Sequence, residues 1–155
     1  MTTIVHSVVA LASARDAYAQ WSRLEHFPGF MDGVREVRRI DEHRQQWRVC
    51  LAGLDREFEA IIVEQIPDRR IAWQSLSGAL QNGEVTFDRL GDAVCRITVR
   101  VEYAPDGLVE ILGSMLGVLS RGVRQDLRSF AAHLRAKVVA GGAAPARLAL
   151  VVAAE

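Results

Sequence analysis

The sequence predicts one α+β domain in which a curved antiparallel sheet of seven strands wraps around a single long C-terminal helix. Apolar and polar residues alternate with a period of two through the middle of the chain, and a helical period returns near its end. A length of 155 residues suits one domain, and 50% hydrophobic with 25% charged residues is ordinary for a globular protein. We expect the domain to occupy residues 1–140, followed by a flexible tail over residues 141–155 that opens with two glycines.

A strand and a short helix are predicted at the start of the chain. Residues 3–11 are rich in β-branched and apolar side chains, which is typical of a strand. Ser13 fits the N-cap position of a helix whose apolar stripe consists of Ala17, Tyr18, Trp21 and Leu24. Pro28 cannot continue that helix, so residues 26–33 predict a short second helix or turn that carries aromatic side chains.

Six further strands are predicted between residues 34 and 103. The alternation is clearest at 47–51 and 95–103, and similar segments lie at 34–41, 55–66, 69–77 and 82–90. Short turns with Gly, Asp, Asn or Pro separate these strands, which indicates a meander. One face of each strand is apolar and the other is rich in Arg, Glu and Gln, as expected for an antiparallel sheet with one covered face.

A long helix is predicted over residues 109–138. Its apolar stripe recurs every three or four residues and consists of Val109, Leu112, Leu116, Leu119, Val123, Leu127, Phe130 and Leu134. No other element is long enough to cover the concave face of the sheet. Gly113, Gly117 and Gly122 weaken this helix, so we expect either a break near Gly113 to Gly117 or close packing at the glycines.

Composition argues against several classes of function. Nineteen Lys and Arg balance nineteen Asp and Glu, so no nucleic-acid partner is expected. No run approaches the roughly 20 apolar residues of a membrane span and no basic n-region opens the chain, so we expect a cytoplasmic protein without an integral membrane segment. Cys50 and Cys95 lack CxxC spacing and the four His residues are scattered, so neither a metal nor another cofactor is expected.

An ordered series of segments resembles a known family. The element order β-α-α-β-β-β-β-β-β-α is similar to the helix-grip fold of START-type lipid-transfer proteins. Phe27-Pro28-Gly29-Phe30-Met31 precedes a Val-x-x-Val strand, and further similar segments lie at 47–49, 65–73, 77–87, 101–105 and 126–130. Together they resemble the bacterial polyketide cyclase/dehydrase family over about residues 3–138, and more distantly the coenzyme Q-binding proteins. The resemblance implies a START-like helix-grip (SRPBCC) fold with an apolar cavity under the long helix.

The candidate ligand-binding residues are mostly apolar. In a helix-grip fold the aromatic residues and one methionine converge on one face, and these are Phe27, Phe30, Met31, Trp47, Phe58, Trp73, Phe87 and Tyr103. Ser75 on a strand, and Leu116, Leu119 and Val123 on the long helix, complete the set. These side chains either fill a solid core or line a cavity, and the resemblance favours a cavity.

No catalytic residue is identified, although three polar side chains have two interpretations each. Tyr103 shares a face with Val99 and Val101, so it either binds a ligand or is a core Tyr with its hydroxyl at the rim. Ser75 either lines the cavity or ends a strand. Glu64 either continues the alternation of Phe58, so that its side chain points inward, or is a solvated carboxylate at the rim.

Three hypotheses of function follow. The first is a carrier that binds a hydrophobic small molecule, such as a lipid, a quinone or an aromatic polyketide. The second is a polyketide cyclase/dehydrase, or aromatase/cyclase, that acts by orienting a flexible substrate. The third is a non-catalytic interaction scaffold. Arg, His or Glu side chains inside the cavity would favour the enzyme. A wholly apolar wall would favour the carrier, and the absence of a cavity would favour the scaffold. A homodimer stays an open alternative to a monomer.

Overall fold

The computed structural model of the chain describes residues 2–23, 29, 34–51, 54–76, 80–103 and 114–141. The strands are β1 (Thr2–Ala10), β2 (Val34–Arg39), β3 (Arg44–Leu51), β4 (Leu54–Ile66), β5 (Arg70–Ser75), β6 (Leu80–Gly91) and β7 (Val94–Tyr103). The helices are α1 (Ala14–Trp21) and α2 (Ser114–Gly141). The predicted short helix at 26–33, apart from Gly29, and the tail beyond Gly141 lie outside the described residues.

One antiparallel sheet contains all of these strands in the order β1-β7-β6-β5-β4-β3-β2. Strands β2 to β7 form a meander, and β1 closes on β7 with Ile4 opposite Val101 and Val8 opposite Ile97. The predicted α+β class, with a curved seven-stranded antiparallel sheet and a long C-terminal helix, is confirmed.

The helix α1 begins where its cap residue predicts. The hydroxyl of Ser13 accepts a hydrogen bond from the backbone N–H of Asp16 at 3.0 Å, which satisfies one of the N–H groups left open at the start of a helix. The same helix buries Ala17 and Trp21. The Trp21 ring lies edge-on to Phe130 of α2, with ring centroids 4.9 Å apart, so α1 is fixed to the long helix.

The helix α2 covers the concave face of the sheet with its apolar stripe. Leu127, Phe130 and Leu134 are fully buried, and they share one core cluster with Val85 of β6 and Ile97 of β7. The helix is continuous from Ser114 through Gly122, so the expected break is absent from its described part. A methyl group on Gly122 would meet no atom within 4 Å, so close packing does not explain this glycine either.

A β-bulge changes the phase of β4. The register with β5 shifts between Ile62, which lies opposite Trp73, and Glu64, which lies opposite Ala72. Because one extra residue turns the following side chains to the other face, Glu64 leaves the concave side. Its carboxylate is exposed and lies 3.0 Å from Nη1 of Arg70. Of the two interpretations of Glu64, the solvated carboxylate is therefore the correct one.

The turn between β2 and β3 depends on the Asp41 carboxylate. It accepts hydrogen bonds from the backbone N–H groups of His43 and Arg44, each at 2.9 Å, and from Nε of Arg44 at 2.8 Å. The Arg44 side chain, followed by these backbone donors, lowers the pKa of Asp41 from an ordinary value near 3.8 to about 2.

We expect the turn to lose this support only in strong acid. Since the folded-state pKa lies below the unfolded value, the contribution of Asp41 to stability is complete above about pH 4 and is lost as the pH falls through about 2. Carboxyl ¹³C NMR should give an Asp41 midpoint near 2, and Asp41→Asn should flatten the stability curve in that window. A midpoint near 4 would show that the turn is not built this way.

Candidate ligand-binding cavity

An unfilled cavity of about 140 Å³ lies between α2 and the concave face of the sheet. Side chains from α1, from α2 and from β2, β3, β4, β5 and β7 line it: Trp21, Val34, Gln45, Trp47, Ile62, Ile71, Trp73, Val99, Val123, Asp126 and Leu127. All three tryptophans of the chain belong to this lining. The described part of the wall is therefore apolar and aromatic except at Gln45 and Asp126, as is usual for small-molecule sites.

The indole of Trp47 stacks on the ring of Phe58. The two residues are direct cross-strand partners on β3 and β4, and their rings stack with centroids 5.9 Å apart and planes 7° from parallel. Phe58 is buried with Val49 and Ala60 in a small cluster beside the main core. Stacking on a buried neighbour fixes the face that Trp47 presents to the cavity.

The indole of Trp73 lies over Gly83. These residues are cross-strand partners on β5 and β6, and a Cβ atom built on Gly83 would overlap the indole of Trp73. Only glycine leaves room for the ring at this position, because every other residue carries a Cβ atom. Gly83 therefore sets how far the Trp73 ring lies from the opposite wall.

Gln45 is a buried polar residue in the apolar wall. It is 1% exposed, and its Nε2 donates to the backbone carbonyl of His43 at 3.2 Å. Since a carbonyl can only accept, this contact assigns the NH₂ group toward His43. Among the described residues no hydrogen bond reaches the Gln45 carbonyl oxygen. An unmatched polar oxygen inside an apolar cavity is costly unless a ligand or water satisfies it.

Asp126 is the one ionisable side chain in the described part of the lining. It is half-buried on α2, between Val123 and Leu127. Within the described ranges no three His, Cys, Asp or Glu side chains gather in a way that would hold a metal ion. The described wall can orient an apolar ligand and form hydrogen bonds with it, and it offers a single carboxyl group for proton transfer.

The predicted site residues fall into three groups. Trp47, Trp73 and Val123 line the cavity. Phe58, Phe87 and Ser75 lie outside the lining of this cavity. Phe27, Phe30 and Met31, and the side chains of Tyr103, Leu116 and Leu119, lie outside the described residues. Ligand binding by this set stays a prediction.

The placement of the second group has a physical reason in each case. Phe58 is screened from the cavity by the Trp47 ring that stacks on it. Phe87 is buried beneath α1, where Tyr18 and Trp21 contact its ring edge-on at centroid distances of 5.9 and 6.3 Å. Ser75 is the last residue of β5 and lies opposite Ala60, away from the lining residues Ile71 and Trp73 on the same strand.

Sequence reasoning missed Gln45 and Asp126, the two polar residues among the described residues of the lining. Gln45 shares the alternation phase of Trp47 and Val49, so beginning β3 at residue 44 would have pointed its side chain inward. Asp126 precedes Leu127 and follows Val123 by three residues, so it borders the apolar stripe of α2. In both cases the signal was a polar residue in phase with an apolar face.

Comparison with known proteins gives a family and a fold. A model of the family described as polyketide cyclase/dehydrase and lipid transport matches residues 11–132. An uncharacterised 17.2 kDa protein of Streptomyces lincolnensis is 36% identical over 131 residues, which make up 84% of this chain and 87% of that protein. No helix of the described residues is long and apolar enough to cross a membrane.

Two solved structures have similar architecture. A protein from Deinococcus radiodurans is 29% identical with a TM-score of 0.63, covering 85% of this chain and 96% of its own. The Zhui aromatase/cyclase from a Streptomyces species is 18% identical with a TM-score of 0.78, covering 92% and 99% of the two chains. At the latter identity the likeness shows the fold alone. The chain therefore belongs to the polyketide cyclase/dehydrase and lipid transport family.

Proposed function

We propose that the protein binds and carries a small hydrophobic molecule with an aromatic ring in the cavity beneath α2. The observation that supports this most strongly is the joint exposure of Trp21, Trp47 and Trp73 to one unfilled volume. Aromatic walls favour an aromatic ligand through stacked and edge-on ring contacts, in addition to the burial of apolar surface. An unfilled cavity also counts against a scaffold, which would gain stability from a solid core.

The cavity volume favours a ligand of one or two rings. An apolar cavity of about 150 Å³ is known to hold benzene, and this cavity of about 140 Å³ is of that order. An extended lipid or a complete polyketide chain is larger than this. Within the classes that the sequence suggests, the size therefore supports a compact aromatic compound or the ring of a quinone.

A second candidate function is that of an aromatase/cyclase, and Asp126 is the observation that favours it. A carboxyl group beside a bound ring could transfer a proton during ring closure. A carrier needs no such group and would keep its affinity in Asp126→Asn. Turnover of a poly-β-ketone thioester analogue that disappears in Asp126→Asn, with binding intact, would favour the enzyme over the carrier.

The proposed binding can be measured by tryptophan fluorescence. We expect p-xylene to change the emission of the protein in a saturable manner, because all three tryptophans border the cavity. Val123→Phe should abolish the change by filling the cavity. Val5→Phe is the matched control, since Val5 is exposed on β1 and the same volume is added outside the cavity.

Three results would contradict this proposal. An unchanged spectrum with p-xylene and with other one-ring or two-ring aromatic compounds would show that the cavity does not take them. Equal responses from Val123→Phe and wild type would place the binding elsewhere. Native mass spectrometry of the protein from its own host that shows no co-purified compound, or only long-chain lipids, would argue against a carrier of aromatic molecules.

We also propose a cytoplasmic location, which the two cysteines support. Cys50 and Cys95 are both free thiols. Cys95 is fully buried, and burial raises the pKa of its thiol, which keeps it protonated and unreactive. Free thiols persist in reducing compartments, so this state supports a cytoplasmic location.

A further inference from the structure

We infer that the cavity selects aromatic ligands that carry a hydroxyl group, and that the amide oxygen of Gln45 accepts the hydrogen bond from that hydroxyl. This inference rests on the proposed function, because it names the class of molecule that the same cavity takes. It assigns to Gln45 the recognition role for which sequence reasoning offered Tyr103 and Ser75.

The hydrogen-bonding capacity of Gln45 indicates what the ligand must supply. A glutamine side chain has two N–H donors and a carbonyl oxygen that accepts. One N–H is used at the His43 carbonyl, and no described residue donates to the oxygen. The side chain is 1% exposed and belongs to the cavity lining. The missing partner of the oxygen is therefore a donor inside the cavity.

The amide is held in place by the neighbouring backbone. The His43 carbonyl that Gln45 contacts also accepts from the backbone N–H of Ile62 at 2.8 Å, which ties it to β4. Asp41 holds the N–H of His43, and Arg44 reaches Glu59 of β4 at 3.0 Å. Because these bonds exist before a ligand arrives, little freedom is lost when the oxygen accepts a hydrogen bond.

The described polar groups of the wall favour a ligand group that both donates and accepts hydrogen bonds. The acceptor that no described residue bonds is the oxygen of Gln45, and the donors are the second N–H of Gln45 and the buried indole N–H of Trp47. A phenol donates to the oxygen and satisfies it. A quinone or an aryl ether only accepts, so it leaves the Gln45 oxygen buried without a partner, which is the costly outcome. A phenol should therefore bind more tightly than an ether or quinone of the same size.

Isothermal titration with two isomers tests this inference. The probes are 4-ethylphenol and 4-methylanisole, which have the same atoms but differ in whether their oxygen can donate. The variant is Gln45→Met, which keeps the length of the side chain and removes its polar groups. His43 keeps its bond to Ile62 in this variant, so no backbone carbonyl is left open and the fold should persist.

We expect Gln45→Met to weaken 4-ethylphenol by about five- to tenfold and to leave 4-methylanisole within about twofold of wild type. Circular dichroism and urea unfolding check that the variant is folded. Gln46→Met, on the other face of β3, is the control and should change neither affinity.

The remaining outcomes show whether the hydroxyl preference fails by itself or the proposed function fails as well. If both isomers bind and Gln45→Met weakens them equally or not at all, the hydroxyl preference is overturned while aromatic binding stands. If wild type prefers 4-methylanisole, the inference is also wrong. If neither isomer nor p-xylene binds, the proposed function fails and this inference with it.

Discussion

Phe130→Ala is expected to lower the free energy of unfolding by about 3–5 kcal/mol. The Phe130 ring is 0% exposed and lies edge-on to Trp21, so it joins α2 to α1 within the core cluster that includes Ile97 of β7. Removing the ring leaves a void among rigid elements that cannot close fully around it. Urea unfolding with an unchanged m-value would measure this loss as a lower midpoint.

Val123→Ala is the matched control for Phe130→Ala on the same helix. Val123 is half-buried and already borders the cavity, so its methyl groups lose fewer contacts and the expected cost is about 1 kcal/mol. A cost of about 1 kcal/mol or less for Phe130→Ala would contradict the packing of α2 against the sheet. Equal and large costs for both variants would show that no cavity lies beside Val123.

Gly83→Ala is expected to destabilise the protein by about 1–3 kcal/mol and to weaken the binding of p-xylene at least about tenfold. The new methyl group overlaps the indole of Trp73, so the ring must move away from β6. The cavity that it lines is a space that can receive the displaced ring. Urea unfolding and the fluorescence titration measure the two effects on one sample.

Gly122→Ala is the matched control for Gly83→Ala, and its effect should have the opposite sign. Nothing lies within 4 Å of the added methyl group, and Gly122 is an interior residue of α2. Alanine favours the helix and restricts the unfolded chain, so a gain of about 0.5–1 kcal/mol with unchanged binding is expected. If both variants behave alike, overlap with Trp73 is not the cause.

The strands were predictable because each depends on residues that are neighbours in the chain. Val99 and Val101 alternate with Thr98 and Arg100, and the structure places the valines inside and the arginine outside. The helix α2 was predictable for the same reason, since Leu127, Phe130 and Leu134 are spaced for one face. Alternation predicts less well at a bulge. The register shift after Ile62 turns Glu64 to the other face of the sheet, and no residue of the β4 sequence predicts this shift.

The candidate site was predictable only in part. Trp47 and Trp73 were placed in it because the helix-grip resemblance directs their strand faces inward, and both line the cavity. Phe87 also faces inward, yet α1 covers it. The spacing of apolar residues in α1 or in β6 does not predict how close these two elements lie. Trp21, predicted as part of the α1 stripe, proves to belong to the core and to the cavity wall at once.

Local sequence by itself determined which segments become strands and helices and which of their faces are apolar, because burial at a spacing of 2 or 3.6 residues involves neighbours in the chain. Only the tertiary structure decided which inward side chains fill the core and which border a void. That choice depends on contacts between distant residues, such as Trp73 over Gly83, Phe58 behind Trp47 and Gln45 against the backbone of His43. Since a cavity is the space that such contacts leave unfilled, it exists only once the elements have packed.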